Sequence, residues 1–200
     1  MSLVIELGLV KGGGKAETLF TSLLDPDFRN VSYSTPHEYV KKYWEAYQMH
    51  PDRGRDLNGK VFELIIETLL YRENILPYYI QAKAAFVPNV VFDVLLYRES
   101  EPICISIKTS LRERYKQADL EAVSLKYVHR KSHCYLLTLE KNEATSVSAK
   151  IDNSEVLGLD DMIYCLSDEL DHLIDHLKSL VFTESIKIDV FEGQIIKHID

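Results

Sequence analysis

The chain has 200 residues, of which 46% are hydrophobic and 27% are charged, and its formal net charge is −8 at pH 7. This composition excludes an intrinsically disordered chain and predicts a globular protein long enough to bury a sizeable core. No run of ~18 uncharged apolar residues occurs and no basic leader precedes the first apolar residues, so we expect a cytoplasmic protein without a membrane span. We expect a single domain over residues 1–200.

The first 57 residues are predicted to form an N-terminal, mainly helical segment. Its opening residues, LVIELGLV, have the apolar pattern of a β-strand, which the following glycines end. A helix is predicted to begin at Thr35-Pro36 and to continue to residue 50. Four aromatic residues recur in it at helical spacing, which favours a packed aromatic face over a platform for stacking nucleic-acid bases. These residues are Tyr39, Tyr43, Trp44 and Tyr47.

A loop is predicted at 51–60, and a core over about residues 58–140 begins near its end. The stretch KVFELIIETLLYREN has the spacing of an amphipathic helix. The remaining predicted elements of the core are strands at 78–86, 90–97, 103–108 and 132–140, and a helix at 111–129. This αβββαβ order predicts an α/β fold with a central mixed β-sheet flanked by helices. Residues 151–200 are acidic and partly helical, with 168–182 as the clearest amphipathic helix.

The cysteines and histidines do not predict a zinc site. The three cysteines are far apart and lie in apolar surroundings, so we expect buried free thiols. They are Cys104, Cys134 and Cys165. His172 and His176 are four residues apart on a predicted helix, but no third ligand motif is near them, which favours surface histidines.

Basic residues are concentrated in one part of this acidic chain. Between Lys108 and Lys131, seven Lys or Arg residues are set against three Asp or Glu, so this stretch carries +4 and the rest of the chain −12. A basic stretch of this kind fits a DNA-facing cleft, and a solvated helix face would produce the same composition.

Two charged residues are predicted to meet at the ends of neighbouring strands. Asp93 lies within the apolar strand VVFDVLLY, where a carboxylate costs free energy unless it has a partner such as a metal ion. Lys108 ends the next strand, and alternation places Ser106 and Lys108 on one face. Carboxylates that hold Mg²⁺ together with a nearby lysine are the groups that phosphodiester hydrolysis requires.

The Asp93 and Ser106-x-Lys108 pattern, in this element order, resembles the PD-(D/E)XK nuclease superfamily. Phe92 stands where that family has proline, and Ser106 where it usually has Asp or Glu. The stretch SIKTSLRERYKQADLE is similar to the CCGG/CCNGG-reading group of type II restriction endonucleases, and the resemblance covers about residues 58–140. It implies a restriction-endonuclease-like core that cleaves double-stranded DNA, a Mg²⁺ cofactor and a homodimer that cuts a palindrome.

The same resemblance implies the roles of individual residues. Asp93 and Glu121 are the implied metal ligands, and Lys108 is the implied catalytic lysine. Glu63 is the better match for a supporting glutamate on the preceding helix, with Glu67 as the alternative. Arg112, Glu113 and Arg114 are the implied base-reading residues, because Arg can bind guanine O6 and N7 while Glu accepts from the cytosine amino group.

Further expectations and alternatives accompany this interpretation. Lys116, Arg130 and Lys131 are expected to contact the DNA backbone. Ser110-x-x-Glu113 also has the form of a helix capping box, which competes with base reading. An ordinary helix ion pair with Lys116 or Lys126 is the alternative for Glu121. A repair or mobile-element nuclease and a non-catalytic DNA-binding module are the alternative functions.

Overall fold

A computed structural model describes residues 2–10, 12, 14–99, 101–184 and 191–197 of the chain. Within these residues the chain forms seven α-helices, six β-strands and one 3₁₀ turn at Phe28–Asn30. The helices are α1 (Leu3–Glu6), α2 (Lys15–Leu23), α3 (Pro36–Met49), α4 (Arg55–Arg72), α5 (Arg114–Val128), α6 (Lys141–Asp152) and α7 (Asp168–Lys178). The strands are β1 (Tyr78–Ala84), β2 (Phe92–Leu96), β3 (Ile103–Lys108), β4 (His133–Thr138), β5 (Asp161–Tyr164) and β6 (Phe191–Ile196).

The strands form one open mixed sheet in the order β5-β4-β3-β2-β1-β6. Strands β6, β1, β2 and β3 pair antiparallel, whereas β3, β4 and β5 pair parallel. The expected αβββαβ order is present as α4, β1, β2, β3, α5 and β4. The prediction of an α/β protein with a mixed sheet flanked by helices is therefore confirmed.

Two hydrophobic clusters cover the two faces of this sheet. The larger one packs the N-terminal helices, α4 and α7 against side chains such as Ile105 and Ile107. The smaller one packs α5 and α6 against the other face, through Cys104 and Leu136 among others. Because both faces are covered, the central strands β2 and β3 are almost continuously apolar, and a charged residue within them is conspicuous.

The N-terminal strand prediction is wrong, since LVIELGLV forms the short helix α1. Gly8 has a φ of +75° and ends the helix. Its N–H donates to the Ile5 carbonyl, and the Leu9 N–H donates to the Val4 carbonyl, both at 2.9 Å. This is the hydrogen-bond pattern of a glycine-terminated helix. The apolar residues therefore pack inward at helical rather than alternating spacing.

The prediction for α3 is confirmed, because Pro36 is its first residue and Tyr39, Tyr43 and Tyr47 are fully buried in a packed aromatic face. The loop predicted at 51–60 is too long, because α4 begins at Arg55. α4 is also buried on most of its circumference, so its pattern is that of a core helix rather than of a two-sided surface helix.

Three elements of the second half were not predicted: α6, β5 and β6. Strand β6 pairs with β1, so residues near the C-terminus belong to the same sheet as the predicted core. The three cysteines are free and buried, as predicted, and Cys104 lies directly opposite Cys134 on neighbouring strands. Among the described residues, no helix is long and apolar enough to cross a membrane.

Candidate active site

Asp93 and Lys108 form an ion pair at one end of the sheet. Because β2 and β3 are antiparallel, the start of one strand lies beside the end of the other. The Lys108 Nζ donates to Asp93 Oδ2 at 2.6 Å, and the Ile107 backbone N–H donates to the same oxygen at 2.8 Å. The two side chains are only 17% and 12% exposed. The expected convergence of these residues is present in the structure.

A glutamate approaches this ion pair from the α4 side. Burial raises the pKa of Glu63 to about 7, and the charge of Asp93 adds to this increase while Lys108 and Lys60 oppose it. One turn further along α4, burial raises the pKa of Glu67 well above its ordinary value, with further contributions from Glu63 and Asp93. Glu63 and Glu67 were the two candidates for the supporting glutamate, and both are close enough to Asp93 for its charge to raise their pKa values.

Glu121 approaches from α5 on the other side of the sheet. Burial raises its pKa, whereas a hydrogen bond from Gln117 Nε2 at 2.8 Å and the positive charge of Lys108 lower it. The charge of Asp93 raises the pKa of Glu121 as well. We call Glu63, Glu67, Asp93 and Glu121 the carboxylate cluster. The charge of Asp93 raises the pKa of each of the three glutamates, whereas Lys108 lowers the pKa of Glu63 and Glu121.

Among the described residues, Glu121 does not form the alternative ion pair with Lys116 or Lys126. Lys116 pairs with Glu113, and Lys126 pairs with Asp160 at 2.7 Å. Both lysines therefore have other partners, and the pKa of Glu121 responds instead to the charges of Lys108 and Asp93.

The carboxylate cluster suits a magnesium ion. Mg²⁺ is commonly bound by one or two carboxylates, with water and substrate phosphate oxygens completing its shell. Asp93 accepts both of its hydrogen bonds through Oδ2, and no hydrogen bond from a described residue reaches Oδ1. The described residues contain no group of three His, Cys, Asp or Glu able to hold a metal ion by themselves. Asp93 and Glu121 are therefore the residues that would contribute oxygens to an ion held mainly by other ligands.

Ser106 lies in β3 two residues before Lys108 and is 3% exposed. Its short hydroxyl side chain occupies the position next to the ion pair where a longer acidic side chain would add another charge. A buried serine costs much less free energy than a third carboxylate so close to Asp93 and Glu121. Its expected participation in catalysis stays a prediction.

The Arg112-Glu113-Arg114 stretch forms a turn between β3 and α5, since the predicted helix at 111–129 begins only at Arg114. The capping box is absent: Glu113 itself is the N-cap residue, and its carboxylate pairs with Lys116. Neither arginine forms an ion pair with a described residue. Both arginines are exposed, in the stretch that follows Lys108.

Glu143 anchors this turn, and sequence reasoning missed it. Its carboxylate accepts from the backbone N–H groups of Leu111 at 2.5 Å and Arg112 at 3.2 Å. Arg112 has a φ of +41°, an uncommon conformation for a side-chain-bearing residue. Glu143 lies 31 residues away in the chain, so no local pattern could have indicated it.

The predicted backbone contacts are not brought together. Lys116 lies in the first turn of α5 and is exposed. Arg130 and Lys131 follow the other end of that helix, roughly 20 Å away at 1.5 Å per residue. A DNA segment in contact with Lys108 would therefore have to extend along the whole of α5 to reach Arg130 and Lys131. Their role stays a prediction.

A cavity of about 420 Å³ opens beside the carboxylate cluster on the α4 side. Lys60, Glu63, Glu67, Gln81 and Asp93 line it, together with residues that follow α1. Lys60 and Gln81 were not predicted as site residues. The helical spacing of residues 60, 63 and 67 on α4 was the available signal for Lys60.

His172 and His176 are exposed on α7 and line a separate cavity of about 450 Å³.

Comparison with protein-family models, with curated proteins and with solved structures finds no match for this chain. The function is therefore inferred from the residues of the site and from the resemblance of residues 58–140 to restriction endonucleases.

Proposed function

We propose that this protein is a magnesium-dependent type II restriction endonuclease that hydrolyses phosphodiester bonds in double-stranded DNA. The observation that carries this proposal is the carboxylate cluster around the Asp93 and Lys108 ion pair, at the end of two central strands. Several carboxylates near one another are costly for stability, and carboxylates with raised pKa values, such as Glu63 and Glu121, are concentrated at functional sites.

The roles of the chain's own residues follow from this geometry. The Lys108 ammonium is held at 2.6 Å from Asp93 and would offset negative charge on a phosphate that enters beside it. The Ile107 N–H and Lys108 fix the orientation of the Asp93 carboxylate. With a pKa of about 7, Glu63 can take up or release a proton near neutral pH, so it suits the proton transfers of hydrolysis.

Asp93 and Glu121 would hold the magnesium ion, and Ser106 lies beside them. When bound, Mg²⁺ would lower the pKa of a water molecule and offset charge at the scissile phosphate. The negative charges of Asp93 and Glu121 repel each other in the free protein. A bound cation should reduce this electrostatic repulsion.

The exposed Arg112-Glu113-Arg114 turn supports a sequence-reading role next to the cutting site. Two of its residues offer free guanidinium groups, and Glu143 fixes the backbone that presents them. Arginine that binds guanine in the major groove would give a G·C-containing site. The resemblance to the CCGG/CCNGG-reading group supports the same substrate, a short palindrome.

Digestion of mixed-sequence DNA tests the proposal. The purified protein is incubated with the DNA and MgCl₂, and all new ends are sequenced, with the Lys108→Ala variant as control. We expect ends at one fixed palindrome that contains C and G, and none from the variant.

Two other outcomes would contradict the proposal in different ways. Ends without a fixed motif would indicate a nuclease that acts on DNA structure, as in repair or mobile elements. Intact DNA despite tight binding, with every divalent cation tried, would indicate a non-catalytic DNA-binding module.

A further inference from the structure

Helix α5 has a second apolar face that the fold does not cover. Its inner face buries Ala118, Ala122 and Leu125 against the sheet. On the opposite side, Leu120 is 67% exposed and Tyr127 is 87% exposed, with the partly exposed Val123 between them. Soluble proteins rarely leave such side chains contiguous on a helix without a partner.

The outward residues follow a regular spacing. Counting from Glu113, they recur after alternating steps of three and four residues, which places them along one line of a helix surface. We call these residues the α5 stripe: Glu113, Lys116, Leu120, Val123, Tyr127 and Arg130. The stripe begins with an acidic residue, is apolar in the middle and ends with a basic residue just beyond the helix.

This order makes the α5 stripe complementary to itself. When two copies of the helix pack antiparallel about a two-fold axis between Leu120 and Val123, Leu120 meets Val123 of the other copy. In the same register Lys116 meets the Tyr127 ring, a cation–π arrangement, and Glu113 meets Arg130. Every contact then occurs twice, as in an isologous interface.

A neighbouring loop extends the apolar surface. The Asp119 carboxylate accepts from the backbone N–H groups of Leu157, Gly158 and Leu159, which holds this loop against α5. Gly158 permits the close approach, because a Cβ there would lie 2.4 Å from the Asp119 carbonyl oxygen. Leu157 is left 76% exposed beside the stripe.

We infer that the α5 stripe is the interface of a homodimer, in which two copies of this chain pack α5 against α5 in antiparallel orientation. The inference rests on the helix surface and not on the proposed function. In this dimer Glu113, Lys116 and Arg130 contact the second copy instead of DNA, and the Glu113–Lys116 ion pair of the single chain is exchanged for these contacts. It places the two carboxylate clusters toward opposite ends of the helix pair, because each Lys108 precedes the start of its own α5.

The first test measures mass in solution by sedimentation equilibrium over a range of protein concentrations. We expect the wild-type protein to be a dimer and Leu120→Glu to be a folded monomer, since the substituted side chain is exposed in the single chain. Met49→Glu is the matched control, because Met49 is 85% exposed on α3, away from the stripe. It should remain a dimer. A monomeric wild type, or a Leu120→Glu dimer of unchanged affinity, would overturn the inference.

A charge exchange tests the register and the identity of the partner. Glu113→Arg and Arg130→Glu each place like charges opposite one another in a homodimer, so each should weaken self-association by about tenfold or more. A mixture of the two variants restores both opposite-charge contacts and should form a heterodimer of wild-type affinity. Failure of the mixture to associate would reject the antiparallel register. Retention of the homodimer by both variants would reject the interface itself.

Discussion

Helices α4 and α5 each bring glutamate to the same Asp93 and Lys108 pair, but they surround it differently. α4 is buried on most of its circumference, and Glu63 and Glu67 lie deep beside the sheet with strongly raised pKa values. α5 lies on the surface, and its half-buried Glu121 has a hydrogen bond from Gln117 that counteracts the effect of burial. Burial raises the pKa of the glutamates on both helices, but only Glu121 has a hydrogen bond that opposes the increase.

The difference suggests a division of roles within the carboxylate cluster. Glu121 is less deeply buried and accepts a hydrogen bond from Gln117, which favours a cation-holding role. A carboxylate with a pKa of about 7 is suited to exchange protons, which favours that role for Glu63. In this proposal the environment of each helix, rather than the residue type, separates the two roles.

Replacing Lys108 should have the largest effect, because this residue lies between the two sides of the cluster. We expect Lys108→Ala to reduce DNA cleavage by about 10³-fold while specific binding persists, since the substitution removes the positive charge next to the scissile phosphate. Single-turnover cleavage and binding assays with the same DNA measure the two effects. Lys83→Ala, an exposed lysine of β1, is the control and should cleave normally. Normal cleavage by a folded Lys108→Ala protein would contradict the proposed mechanism.

Replacing the α5 glutamate should mainly affect the metal. Glu121→Gln is expected to weaken Mg²⁺ binding in the presence of DNA by about 100-fold, whereas Glu63→Gln should weaken it much less. Titration of cleavage against Mg²⁺ concentration measures both. Equal losses from the two variants would show that both helices supply metal ligands and would remove the division of roles.

Replacing the α4 glutamate should change how stability depends on pH. The pKa of Glu63 is about 7 in the folded protein and 4.5 for an unperturbed glutamate, so the folded state binds the proton more tightly. This contribution to stability is fully present below pH 4.5 and is lost as the pH rises through 7. Glu63→Gln cannot ionise, so above pH 7 it should be more stable than wild type by on the order of 2 kcal/mol, after allowance for partial exposure.

Thermal unfolding between pH 4 and 9 measures this effect. The exposed Glu45→Gln on α3 is the matched control, and its stability should follow the wild-type curve because surface ion pairs contribute little. Parallel curves for wild type and Glu63→Gln would show that burial on α4 does not perturb the glutamate.

Arg114→Ala should have the smallest effect, since it removes one exposed contact at the start of α5. We expect about tenfold weaker discrimination at one guanine, or about 1.4 kcal/mol, with cleavage of the best site otherwise retained. Competition between the palindrome and single-base variants measures this discrimination. An equal loss on all sequences would instead indicate a phosphate contact.

The central part of the fold and its ion pair could be predicted from local sequence. VVFDVLLY and ICISIK are apolar enough to identify buried strands, and their order fixes Asp93 and Lys108 at one end of the sheet. The prediction followed from one charged residue in each apolar strand, because burying a charge without a partner costs free energy. Their electrostatic link to Glu63 on one side and Glu121 on the other agrees with the expected positions.

The missed elements depend on contacts between distant parts of the chain. β5 has four residues, too few to show alternation, and it is held by parallel pairing with β4. α6 buries only Ala144 and Val147, so its sequence has little apolar periodicity. LVIELGLV is compatible with helix or strand, and the α1 conformation depends on packing that the sequence does not display.

The opposed thiols of Cys104 and Cys134 give the sheet an internal chemical reporter. A hydrogen bond with Cys134, together with burial, raises the pKa of the Cys104 thiol well above its ordinary value. Since the thiolate is the reactive form, alkylating reagents should modify these sulfurs only when α5 and α6 move away from this face of the sheet. The rate of alkylation under native conditions would then measure how often the centre of the sheet is uncovered, at the strand that ends in Lys108.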